Sequence, residues 1–145
     1  MKPEADQVAQ MSAGQLMAEL MPLLPAGYAQ GHAMLLGIML GFCAQEFERG
    51  ADIRAADNAE MRKLFAELAP SVRDAALQGK LVAASRSSDA SLKISDLNAA
   101  NYALRALVIA AQTDAEERHD AKAQAAIWSV LKASAARRVL KLPGM

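Results

Sequence analysis

The stretch HAMLLGIMLGFCAQEFERG, residues 32–50, decides the fold. Residues 33–44 hold twelve consecutive positions without a charged or amide side chain. As a helix, such a run rises about 18 Å, whereas a bilayer core asks for ~20 apolar residues and about 30 Å. Gln45, Glu46, Glu48 and Arg49 then continue the same helical phase. The run therefore reads as a core helix over 28–49, with Gly50 placed to end it.

The pattern inside the run is finer. Ala29, Ala33, Gly37 and Gly41 recur every four residues and form a ridge of small side chains. Leu36, Leu40, Cys43 and Phe47 form another face, and Met34, Leu35, Ile38, Met39 and Phe42 fill the rest. A helix apolar on all sides is central in its fold. Each interior glycine costs about 1 kcal/mol of helix propensity relative to alanine. Two of them imply that another backbone approaches closely along the ridge. The expectation is an all-α helix bundle of four to five main helices around this one. The ridge can face the same chain or another subunit. A two-fold homodimer, with Met17, Met21, Met34 and Met39 extending the contact, is the expected way to cover any side left open.

Working outward, the 145-residue chain is 53% hydrophobic but only 4% aromatic. Ala, Leu and Met dominate, as suits helices in a single domain. Residues 1–11 are polar and expected to fray. Ser12-x-x-Gln15 is spaced as a capping box for a helix carrying Leu16, Met17, Leu20, Met21 and Leu24, which Pro22 and Pro25 end or bend. Asp57-x-x-Glu60 is a further candidate cap. Ile53, Met61, Leu64, Phe65 and Leu68 mark the next helix, closing before Pro70. A short helix is expected over 71–78 with Gly79 as its stop. The serine-rich segment 81–95 reads as a mobile loop. Ser95 or Asp96 should cap a fourth helix bearing Leu97, Ala100, Leu104, Leu107, Val108 and Ala111, ending near 118–120. Ile127, Trp128, Leu131, Ala135, Val139 and Leu142 mark a fifth, stopped by the terminal PGM. The last two should pair as an antiparallel hairpin.

Sixteen Lys and Arg balance sixteen Asp and Glu. No overall basic excess is present to displace nucleic-acid counterions. The distribution is uneven, with residues 1–69 carrying −4 and residues 70–145 carrying +4. No acid follows Asp120, while Lys122, Lys132, Arg137, Arg138 and Lys141 do. These cations suit the dipole of a last helix, and they also offer a docking face for an acidic protein partner. The single cysteine, Cys43, reads as a buried free thiol. The first residues lack a signal-peptide pattern, so a cytoplasmic setting without a membrane span is expected.

Few groups suggest chemistry. Glu116 and His119 have the Glu-x-x-His spacing of carboxylate-bridged di-metal bundles. The second such motif is missing, and no metal or cofactor is expected. His32 opens the apolar run and, with Met34, Met39 and Phe42, is a candidate pocket for a small apolar or acyl ligand. There is no Gly-x-Ser-x-Gly elbow, no phosphate-cradling glycine loop and no paired-cysteine zinc pattern. Three classes stay open. They are a non-enzymatic interaction or accessory subunit, itself a homodimer, a binder of an apolar ligand between helices, and an enzyme without a recognisable motif.

Leu24-Pro25, His32, the run ending Gln45-Glu46-Phe47-Glu48, and the following ADNAEMRKLFAEL give the first half a resemblance. It resembles a bacterial domain-of-unknown-function family of small helical proteins, often encoded near acyl-CoA dehydrogenase and phosphotransferase genes. The resemblance implies an accessory role in acyl-CoA metabolism and carries no catalytic residue.

Overall fold

A computed structural model describes residues 4–142. They are all-α, with no strand among them. The helices are α1 (Ala5–Gln15), α2 (Tyr28–Leu68), α3 (Ala75–Ser85), α4 (Ile94–Glu117) and α5 (Ala121–Arg137). The chain forms two compact units, residues 1–50 with 139–145 and residues 51–138, where the sequence suggested one domain.

The first unit begins earlier than expected. α1 starts at Ala5, so Ser12 lies inside it and caps nothing, and the segment expected to fray is helical from that point. The helix widens into a π turn over Leu16–Leu20, in which Met21 N–H donates to the Leu16 carbonyl, five residues back. Pro22 accounts for this, because its ring displaces the carbonyl four residues earlier and its nitrogen has no hydrogen to donate. A 3-10 turn, Met21–Leu23, follows. Gly27 then reverses the chain with φ +113°, a conformation open to glycine and strained for other residues.

α2 is the largest departure from the sequence reading. The helix expected at 28–49 and the next one, marked by Ile53 to Leu68 and closing before Pro70, are one helix of 41 residues. Gly50 does not stop it. A glycine ends a helix only where the chain turns into the left-handed region, and here ADIRAADNAE supplies ten further residues with neither proline nor glycine. Pro70 does stop it, within the 3-10 turn Ala69–Ser71.

In the second unit α3 runs to Ser85, so the first five residues of the supposed mobile loop are helical. Leu81 among them is fully buried. Asp74 caps α3, its carboxylate accepting from Ala76 N–H at 2.9 Å. α4 begins at Ile94, ahead of Ser95 and Asp96. α4 and α5 form the expected antiparallel hairpin. Its turn is a Schellman motif, with Asp120 N–H on the Ala115 carbonyl and His119 N–H on that of Glu116. His119 occupies the left-handed position at φ 53°. Asp120 caps α5 through Ala123 N–H at 3.0 Å. α5 ends at Arg137, short of Val139 and Leu142, and the expected PGM stop lies outside the described residues. Phe65, Leu81 and Ile127 are fully buried and packed with Met61, Leu64, Leu104 and Val108, giving this unit its core.

Candidate interaction face

In the first unit, the ridge of small residues meets its own chain. Ala33, Gly37 and Gly41 are buried, while Ala29 is exposed. A Cβ placed on Gly37 would come within 2.5 Å of Met17 Cγ and 2.8 Å of its sulfur. Met17, in the π turn after α1, thus lies directly on the ridge, which meets its own chain, one of the two alternatives the sequence left open.

The large side chains are what this leaves uncovered. The buried hydrophobic residues of the first unit are alanines alone: Ala13, Ala33 and Ala44. On α2, Tyr28 is 81% exposed, Leu36 55%, Met39 53% and Phe47 63%. His32 and Cys43 are exposed between them, which corrects the expectation of a buried thiol. At 100° per residue, positions 28, 32, 36, 39, 43 and 47 span an arc of about 100°. They therefore make one straight stripe. The Tyr28 and His32 rings pack together at its start, their centroids 4.1 Å apart.

Of the four candidate pocket residues, His32, Met34 and Met39 are exposed and Phe42 is half-buried. None lines the cleft that the first unit does contain. That cleft, of about 750 Å³, lies over the small ridge, between Ala13 and Gly14 of α1, Met17 of the π turn, and Gly41, Ala44 and Gln45 of α2. Asp6, Glu48, Arg49 and Lys141 also line it. The Gln45 carboxamide clasps the C-terminal segment beside it, donating to the Lys141 carbonyl at 2.7 Å and accepting from its N–H at 2.8 Å.

The strongest polar cluster is in the second unit and escaped the sequence reading. Asp57, expected as a cap, sits mid-helix with a side chain only 1% exposed. One carboxylate oxygen accepts from Arg137 at 2.7 Å. The other accepts from Ser134 at 2.8 Å and from Arg138 at 2.7 and 3.1 Å. Arg137 also pairs with Glu60. Burial pushes the Asp57 carboxyl up, but the hydrogen bonds from Arg138, Ser134 and Arg137 outweigh it and hold it below the usual aspartate range. The network runs on through Arg105, which donates to Ser134 and to Asn101, to Asn58, Asp89 and Arg62, which also donates to the Ser87 hydroxyl. Arg62 in turn lowers the Asp89 carboxyl. The 81-residue separation of Asp57 and Arg138 explains why no local pattern revealed this cluster.

This cluster holds helices together and lacks the layout of a reaction centre. Asp57 is saturated with donors and contains no nucleophile–base pair. It also draws Arg137 and Arg138 inward, so two cations of the basic C-terminal helix are engaged within the chain rather than free for an acidic partner. Glu116 and His119 lie at the α4 terminus, where Glu116 accepts from Gln112. Among the described residues no three His, Cys, Asp or Glu side chains gather as a metal site, and no helix is long and apolar enough to cross a membrane. Comparison with family models, curated proteins and solved structures finds no match to the chain. No residue role is carried over from another protein.

Proposed function

We propose that this chain is a non-enzymatic helical interaction protein that works as a homodimer, with the stripe from Tyr28 to Phe47 as its contact surface. One observation carries the reading: among the described residues the only buried hydrophobic side chains of the first unit are alanines, while Tyr28, Leu35, Leu36, Met39 and Phe47 of α2 are exposed. Exposed apolar surface on this scale marks an interaction site. Tyr28, Leu36, Met39 and Phe47 on this stripe each expose more than half of their surface, and aromatic and methionine side chains are enriched at interfaces. An accessory role in acyl-CoA metabolism rests on the first-half resemblance alone.

Sedimentation equilibrium tests this. The wild type should dimerise in the micromolar range. Leu36→Glu, which places a charge mid-stripe without touching the buried ridge, should raise the dimer Kd at least about tenfold and leave the helical circular dichroism intact. A wild type that stays monomeric at several hundred micromolar would end the proposal.

The 750 Å³ cleft favours a second reading, in which the first unit holds a small apolar or acyl ligand. Native mass spectrometry of freshly purified protein tests it, since such a ligand would add a discrete mass that Gly14→Leu removes. Unaltered mass in the wild type, or a mass retained in the variant, counts against the cleft.

A further inference from the structure

The homodimer proposed above leaves open how two stripes meet, and their spacing speaks to that. The exposed positions are 28, 32, 36, 39, 43 and 47, separated by four, four, three, four and four. That series reads the same in both directions. Two copies laid antiparallel with residue numbers summing to 75 bring every stripe residue onto another. Tyr28 meets Phe47, His32 meets Cys43, and Leu36 meets Met39. From this we infer that the partner of the α2 face is a second copy of this chain, paired antiparallel about a two-fold axis between positions 37 and 38. The inference rests on the homodimer reading.

Charge selects the antiparallel arrangement over the parallel one. Residues 20–45 carry no Asp, Glu, Lys or Arg. Glu46 lies at the far end of the stripe, at the helical angle of Tyr28, whereas Glu48 lines the cleft on the other side of α2. Parallel helices would set Glu46 beside its own copy, a like-charge contact that opposes association. Antiparallel helices set it beside the partner's first α2 turn, which has no acid and presents the positive end of the helix dipole. The large residues agree. Each end of the contact then holds one aromatic pair, Tyr28 on Phe47, and the narrower aliphatic pairs lie at the centre, where helix axes cross most closely. The stripe meets itself without an unpaired charge, so a second copy is the partner it fits.

Cys43 is the only cysteine and serves as the reporter. In the antiparallel register it lies eleven positions from its copy, about 16 Å along the axes, with the helices 8–10 Å apart. Nitroxide labels on Cys43 should give an inter-label distance centred near 20 Å. Oxidation of the wild type should form no disulfide dimer, because bonded cysteines need Cα atoms within about 7 Å. Mixing Leu36→Cys with Met39→Cys, each in a Cys43→Ser background, should cross-link the two variants on oxidation far more than either alone. A wild-type Cys43 disulfide dimer would show parallel pairing and overturn the register while sparing the homodimer. A dimer with labels beyond about 30 Å, unaffected by Leu36→Glu, would overturn both the face and the register. A monomer would remove the homodimer reading itself.

Discussion

α2 passes through two different environments along its 41 residues. In its second part, Ile53, Met61, Leu64, Phe65 and Leu68 are buried. Their spacing is that of an amphipathic helix with one side in a core. In its first part the buried positions include Ala33, Gly37, Gly41 and Ala44, Ile38, Leu40 and Phe42 are half-buried, and Met34, Leu35, Leu36, Met39 and Phe47 are exposed. The same contrast holds beyond α2. Nineteen large hydrophobic side chains are exposed among the described residues, eleven of them between residues 8 and 47 and three after residue 138. Composition alone does not separate the two parts, since the exposed half is the more apolar. Side-chain size does. A helix that buries only methyl groups and glycines gains close backbone approach and little transfer free energy. A helix that buries leucine and phenylalanine gains ~1.5–3 kcal/mol per side chain. The second part of α2 is thus stabilised within the chain, and the first part leaves large apolar side chains exposed.

The sharpest way to break that contrast is to truncate the same residue type in each part. Phe65→Ala empties a site with no exposure and should cost about 3–5 kcal/mol in chemical denaturation. Phe47→Ala, at a site 63% exposed, should cost the isolated monomer under ~0.5 kcal/mol. It should instead weaken self-association. Equal destabilisation of the monomer by both would show that the first part of α2 has a core of its own.

A second test acts on polar groups and on pH. Replacing Asp57 by Asn leaves Arg137 and Arg138 facing a neutral amide, and should cost about 3 kcal/mol at pH 7. The Asp57 carboxyl lies below its ordinary range in the folded chain, as does Asp89. A lowered folded value means that the unfolded chain binds protons first as pH falls. The stabilisation is therefore complete above about pH 5 and is lost progressively below it, as pH falls through the folded values. Urea midpoints of the wild type at pH 7, 5 and 3 should decline mainly over the last step. The decline should be shallower in Asp57→Asn, with Asp89 and Asp120, whose carboxyls are also lowered, supplying what is left. A wild-type midpoint flat down to pH 3 would contradict the assignment.

How much of this was legible in the sequence follows from the range of each interaction. The helical periodicity of Leu97, Leu104 and Val108, and of Ile127, is local, and the α4–α5 hairpin could be read directly. The ridge at Ala33, Gly37 and Gly41 was legible as a close-approach surface, but its partner was not, because Met17 reaches it from a separate helix. Gly50 misled for a related reason. Whether a glycine ends a helix depends on what the following residues can pack against, and Ile53 onward packs into the second unit. Residues 81–85 misled because they open a segment, 81–95, whose serines conceal the burial that Leu81 and Val82 contribute. The Asp57 cluster joins residues 77 to 81 positions apart, beyond any spacing rule.

The smallest expected effect separates two glycines of the first unit. Gly14 and Gly37 both lie in helices, and the helix-propensity gain from alanine is the same for each, up to about 1 kcal/mol. Their surroundings differ. A Cβ on Gly14 meets nothing within 4 Å, whereas one on Gly37 falls on the Met17 side chain. Gly14→Ala should therefore stabilise by roughly 0.5–1 kcal/mol, since it restricts the unfolded chain without a clash in the folded one. Gly37→Ala must displace the Met17 side chain. Overpacking of that kind costs ~1–3 kcal/mol and offsets the propensity gain, so the net change should be neutral to destabilising by about 2 kcal/mol. Adding Met17→Ala to Gly37→Ala removes the colliding atoms, and the pair should recover part of the loss in a double-mutant cycle. Thermal or urea melts of the four proteins read this out. Additive effects in the cycle would mean that Met17 does not sit on the ridge. The small residues would then be free to face a second copy, and the exposed stripe would lose its claim to be the contact surface.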